Sequence, residues 1–174
     1  MELGGKTPVI VCEDANIEAA VAGTLFAAFV ASGQTCVSGA RFLVHDKIYD
    51  SFVEGITERA EQIIIGDPMD KTTQMGPLIS QESKDRCLRM IAQAKVDGAK
   101  MIAGAGPLNL HNDFYNGFYI RPTVFKDVET HHELFLEEVF GPVISVTRFY
   151  SDHEAVEMAN TGTFGLGVSI WSRD

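Results

Sequence analysis

Two short runs near the start of the chain hold residue types that can do covalent chemistry on a carbonyl. Glu2-Leu3-Gly4-Gly5-Lys6 joins a carboxylate to two conformationally permissive glycines. Gly33-Gln34-Thr35-Cys36 presents a thiol behind a glycine that lets the backbone approach a ligand closely. A cysteine attacks as its thiolate, a form favoured by a helix N-terminus or a nearby positive charge. The pattern places Cys36 just past a helix, in a turn or at the start of a new helix, so the first of these conditions is expected there. Glu2, within reach of a thioester, would act as general base toward water. The plainer alternatives are a small buried cysteine and a solvated terminal acid. Cys12, beside an apolar strand, and Cys87, in mid-helix, take the plainer reading.

These residues must be positioned by an alternation of strands and helices. Thr7 to Val11 reads as a strand. Asp14 is a plausible N-cap for a helix from about Ala15 to Val30, with Ile17, Val21, Leu25, Ala28 and Phe29 on one face. Arg41 to His45 reads as a second strand, and Asp46 opens a helix through about Ile63 that stacks Ile48, Phe52 and Ile56. Ser80 caps a third helix, in which Leu88, Ile91 and Ala94 are expected to face inward and Gly98 to close the end. Lys100 to Ala103 is a strand, and Gly104 to Gly117 a loop with a mobile tip. Tyr119 to Phe125 is extended, with Pro122 suiting an edge strand or the residues leading into a strand. Val143 to Phe149 is a strand, Asp152 opens a short helix, and Val168 to Trp171 is a last strand. The expected class is α/β, with a mainly parallel sheet and flanking helices in one domain over residues 1–174.

Composition narrows the function classes. In 174 residues, 45% are apolar and 22% charged, as in an ordinary soluble domain. The net charge of −10 argues against nucleic acid or an anionic membrane as partner. No targeting signal is visible and the cysteines form no metal or disulfide spacing, so a cytoplasmic location is expected. His131-His132-Glu133 groups metal-ligating types, but adjacent residues do not share a helix face, so a solvated loop without metal is expected. Gly104-Ala105-Gly106 and Gly165-Leu166-Gly167 do not make a dinucleotide fingerprint.

Glu2 to Lys6 followed by Gly33 to Cys36 resembles the aldehyde dehydrogenase superfamily. The resemblance continues through Gly66-Asp67-Pro68-Met69-Asp70, Met75 to Ser80, Gly117 to Phe125, Glu137-Glu138-Val139-Phe140-Gly141-Pro142-Val143, Asn160 and Gly165-Leu166. It implies a catalytic domain that oxidises a small-molecule aldehyde to a carboxylic acid with NAD or NADP. Cys36 would be the nucleophile, passing through a thiohemiacetal and a thioester, and Glu2 the base. The Cys36 backbone N–H would contribute to an oxyanion hole. Glu138 would hold the nicotinamide ribose hydroxyls, Phe140 would pack beside that ribose and ring, and Gly4 would leave room for the nicotinamide. Without the resemblance, Glu138 reads as a surface acid and Phe140 as a core aromatic.

Ala31 stands where many members carry asparagine. By the same resemblance the domain is incomplete at both ends. It covers about a third of a full-length member and lacks the dinucleotide-binding domain and the oligomerisation segment of this homo-oligomeric family. The chain alone is therefore expected to lack full activity, and an inactive remnant or interaction module is the alternative. Thiol esterase chemistry through Cys36 and Glu2 is a third.

Overall fold

The computed structural model describes residues 3–106, 108, 110, 114 and 116–174. Its elements are β1 (Thr7–Val11), α1 (Ile17–Phe29), a 3-10 segment (Val30–Gly33), β2 (Gly39–His45), α2 (Asp46–Glu61), α3 (Gln81–Val96), β3 (Lys100–Ala103), β4 (Thr123–Lys126), α4 (Glu133–Leu136), β5 (Val143–Phe149), α5 (Asp152–Ala159) and β6 (Ser169–Trp171). The strand order is β3-β4-β5-β2-β1-β6, with β3 antiparallel to β4 and every other pair parallel. The α/β class with a mainly parallel sheet and flanking helices holds for these residues. Glu2 and the tip of the 104–117 loop lie outside the described residues.

Strand alternation sends apolar side chains to both faces of the sheet, as a parallel sheet covered by helices requires. Val9, Val11, Phe42, Val44, Val124, Ile144 and Val146 join one core with Val21 and Phe29 of α1 and Tyr49, Phe52 and Ile56 of α2. Ile10, Leu43, Phe125, Val143 and Phe149 join a second with Cys87, Met90 and Ala94 of α3, Phe135 of α4 and Ala155 of α5.

Three local expectations are corrected, and one open alternative is decided. The N-cap of α1 is Asn16, whose side chain accepts from the Ala19 N–H at 3.1 Å. Asp14 instead accepts from the Ser172 hydroxyl and the Arg173 N–H, both at 2.9 Å, and so ties the chain beyond β6 to the loop before α1. Leu88 is exposed, because the inward face of α3 is Ser83, Cys87, Met90 and Ala94, and Leu88 stands more than about a third of a turn from the centre of that face. Of the two readings of Pro122, entry into a strand holds, since it immediately precedes β4, which is internal between β3 and β5. His132 is buried rather than solvated, its Nδ1 accepting from the Glu129 N–H at 3.2 Å at the turn before α4.

The fold also contains an interaction that no pattern announces. Arg41 on β2 is 2% exposed. Its Nε donates to the Lys6 carbonyl at 3.1 Å, Nη1 to Thr161 at 2.8 Å and to Met158 at 3.4 Å, and Nη2 to Ala159 at 2.8 Å. The last carbonyls of a helix lack intrahelical partners and carry the negative end of its dipole, so a fixed cation is well placed at the end of α5. The guanidinium also lies 5.0 Å from the centre of the Phe135 ring. Replacing Arg41 by Met should lower stability by about 3 kcal/mol, read as a drop in the denaturant midpoint. Arg41→Lys should recover only part of it, because one ammonium cannot reach carbonyls that far apart.

Candidate active site

Three segments converge at one edge of the sheet. Residues 4–6 run into β1, 33–38 into β2 and 137–142 into β5, and these strands are neighbours in the order β5-β2-β1. Their registers align Thr7 with Gly39 and Arg41 with Ser145, which brings the three amino ends together. Cys36 and Glu138, more than 100 residues apart in the sequence, thereby flank the same backbone.

The backbone is strained there. Among the described residues, the non-glycine positions with positive φ are Lys6 (70°), Ala31 (51°), Ser32 (57°), Asp127 (55°) and Phe140 (53°). All but Asp127 lie in or beside the converging segments. Such conformations persist where the surroundings over-determine them, and they concentrate at functional sites. Here the surroundings are close-packed. A Cβ on Gly5 would strike the Glu138 carboxylate and the Cys36 carbonyl, one on Gly33 the Gly141 carbonyl, and one on Gly4 the Phe164 ring.

Cys36 sits in a turn closed by the Ser38 N–H donating to the Thr35 carbonyl at 3.0 Å. The turn leads into β2, so the helix start expected as one activating feature is not present at Cys36. The loop is anchored on several sides. Ser38 Oγ donates to Ala27 at 2.9 Å, Ser32 Oγ to Gly76 at 2.9 Å, and the Ile79 N–H to Gln34 Oε1 at 2.9 Å. Cys36 is exposed, Cys12 half-buried and Cys87 buried. Desolvation raises the pKa of Cys12, and pushes that of Cys87 up to about 11.

Glu138 is half-buried, with its carboxylate against Gly5. Arg86 of α3 fixes the following residues, its Nε donating to the Val139 carbonyl at 2.8 Å and Nη2 to Phe140 at 3.5 Å. A carboxylate can accept from two hydroxyls, and Phe140 lines the same small cavity as Glu138.

Sequence reasoning passed over Lys6, whose only signal was its place in the Glu2–Lys6 run. It is 1% exposed, and its Nζ has no hydrogen-bond partner among the described residues. Burial, then the charge of Arg41, lowers its pKa to about 7, against the opposing pull of Glu138 and Glu137. Lys6 separates two cavities. One, of about 360 Å³, is bounded by Arg41, Asn160, Phe164 and Leu166. The other, of about 10 Å³, is bounded by Thr35, Ser38, Glu138 and Phe140. Elsewhere, Glu129, His131 and His132 hold potential metal-ligating atoms within 4.8 Å of one another.

The sequence profile of the Aldehyde dehydrogenase family matches residues 1–174. Betaine aldehyde dehydrogenase of Sinorhizobium fredii is 44% identical over the whole chain, which spans 35% of that relative. A betaine aldehyde dehydrogenase of Staphylococcus aureus, solved in complex with NAD+, superposes with TM-score 0.95 at 36% identity over 99% of this chain and 34% of that one. An aldehyde dehydrogenase structure from Burkholderia cenocepacia matches with TM-score 0.95 at 40% identity, over 99% and 35% of the two chains. The chain therefore spans about a third of the length of the relatives it matches.

Iodoacetamide should alkylate Cys36 well before Cys12 or Cys87 in the folded chain, as read by peptide mass mapping. Lys6 sets a pH dependence of stability. The unfolded chain holds this proton up to its ordinary value near 10.5, while the folded chain gives it up from about 7. Between those limits the unfolded state binds more protons, so stability rises with pH, and it is lowest below about 7. The rise should be visible in chemical unfolding across that window and absent in Lys6→Met.

Proposed function

The chain belongs to the aldehyde dehydrogenase family, and from that premise we propose that it carries the nucleophile and one end of the cofactor site for NAD(P)-dependent oxidation of an aldehyde to a carboxylic acid. The observation that carries this reading is the convergence of the Cys36 and Glu138 segments on the bare Gly5 backbone.

In this reading the Cys36 thiolate adds to the aldehyde carbon, and the developing oxyanion is met by the Cys36 backbone N–H. A bound NAD or NADP would supply the hydride acceptor that converts the thiohemiacetal to a thioester. Glu2 takes a proton from the water that attacks the thioester, releasing the acid and the thiol. Glu138 accepts from the ribose hydroxyls, Phe140 packs beside ribose and ring, and Gly4 keeps its backbone bare toward the nicotinamide. Phe164, which the sequence reading did not single out, packs against Gly4 and borders the same region. The tight packing of Gly5 against Glu138 supports a fixed position for the carboxylate.

The test is an acyl adduct. Incubating the chain with NAD and an aldehyde should add one acyl group at Cys36, detected by mass spectrometry, and Cys36→Ser should abolish it. Glu138→Gln should raise the NAD concentration needed by roughly 10-fold, the worth of one hydrogen bond to a charged acceptor. Release of no carboxylic acid and no adduct on either the wild-type chain or Glu2→Gln, in which hydrolysis is blocked, overturns the proposal, as does an adduct that persists in Cys36→Ser.

A further inference from the structure

The proposed ribose acceptor, Glu138, must hold its carboxylate still, and of the nearby cations Arg86 is engaged by the Val139 and Phe140 carbonyls. Arg41 is committed, its Nε, Nη1 and Nη2 all donating to backbone carbonyls. Lys6 is not. Its buried Nζ carries donors with no hydrogen-bond partner among the described residues, and it lines the same cavity of about 10 Å³ as Glu138 and Phe140. That space admits about one water, so little solvent screens the two groups from each other. Gly5, the residue before Lys6, is the surface on which the Glu138 carboxylate rests. The positive φ of Lys6 turns the chain at this point.

We propose that Lys6 is the positioning residue for Glu138, its buried ammonium drawing the carboxylate onto the Gly5 backbone and so fixing the acceptor for the ribose hydroxyls of a nicotinamide cofactor. The function of that placement rests on the cofactor reading of Glu138; the coupling between the two groups does not. Lys6 acts through Glu138 and need not touch the cofactor. The charges that face it are Arg41 from β2 and Glu137 and Glu138 from the segment before β5. Arg41 favours loss of its proton and the two carboxylates favour retention, after burial itself. The hold is therefore in place below about pH 7 and is released as the pH rises through that value.

The experiment follows the Lys6 Cε and Nζ and the Glu138 carboxyl carbon by NMR in the labelled chain across the pH range. The Lys6 amine should titrate near neutral pH, the Glu138 carboxyl signal should move with it, and Glu138→Gln should shift the amine titration further down. A Lys6 titration that ignores Glu138→Gln, or a Glu138 signal that ignores Lys6, overturns the proposal.

Nicotinamide riboside, whose charge is constant over this range, then reads the function of the pair. It should bind about fivefold more tightly near pH 6 than near pH 8.5, a difference of about 1 kcal/mol. In Lys6→Arg binding should persist with a flat pH profile, and in Lys6→Met it should be flat and weak. The same pH dependence in Lys6→Met as in the wild type overturns the positioning role. Failure of the riboside to bind at any pH, with the coupling intact, overturns the cofactor reading of Glu138 and leaves the coupling established.

Discussion

Arg41 meets four backbone carbonyls at once, and the position of the candidate site relative to α5 depends on it. Its partners belong to the segment before β1 and to the end of α5, which also meet through the packing of Ala155 in one core with Ile10. The cost of burying a guanidinium is offset only when its donors are used. The resulting clamp fixes the Lys6 carbonyl, and with it the left-handed turn of the backbone on which Glu138 and the Cys36 loop rest. One strand residue thus couples the packing of α5 to the geometry of the candidate site.

The site lies at the amino ends of β1, β2 and β5, whereas ligands of open α/β sheets usually sit beyond the carboxyl ends of the strands. The difference has an electrostatic consequence. In a strand–helix–strand crossover the helix N-terminus lies near the carboxyl end of the preceding strand, so an amino-end site meets helix C-termini instead. Positive helix ends cannot equip such a site, and cationic side chains must. Arg41, Lys6 and Arg86 are cations found there, and the first two are nearly inaccessible to solvent. Backbone strain at Lys6, Ala31, Ser32 and Phe140 is the counterpart of squeezing three chain segments against bare glycines.

Much of this was legible in the sequence because it is periodic. The i, i+4 stack of Ile48, Phe52 and Ile56 marks one face of α2, the β-branched run of β5 marks a strand covered on both faces, and the structure buries both accordingly. Leu88 was misplaced because α3 buries Ser83 and Cys87, residues that a hydrophobic pattern ranks below leucine. Asn16 and Asp14 both qualify as caps, and only the distant Ser172 and Arg173 decide which is otherwise engaged. The runs containing Cys36 and Glu138 pointed to the candidate site. Arg41 and Lys6 could not be read in the same way, since a cation in or beside a strand reads as solvated until its carbonyls or carboxylates arrive from far along the chain. The turn at Cys36 was open for a related reason, because the start of β2 at Gly39 is fixed by pairing with Thr7.

The separation between Arg41 and its partners at residues 158–161 also sets an order of events during folding. Contacts that close loops of this length form late, after their entropic cost is met by local structure. A chain emerging from the ribosome presents Cys36 long before α5 exists to complete the clamp. In that interval the Cys36 backbone lacks the Glu138 segment that later packs with it against Gly5. Convergence of the Cys36 and Glu138 segments is thereby deferred until nearly all of the described sheet has been synthesised, which ties assembly of the candidate site to the completion of the fold.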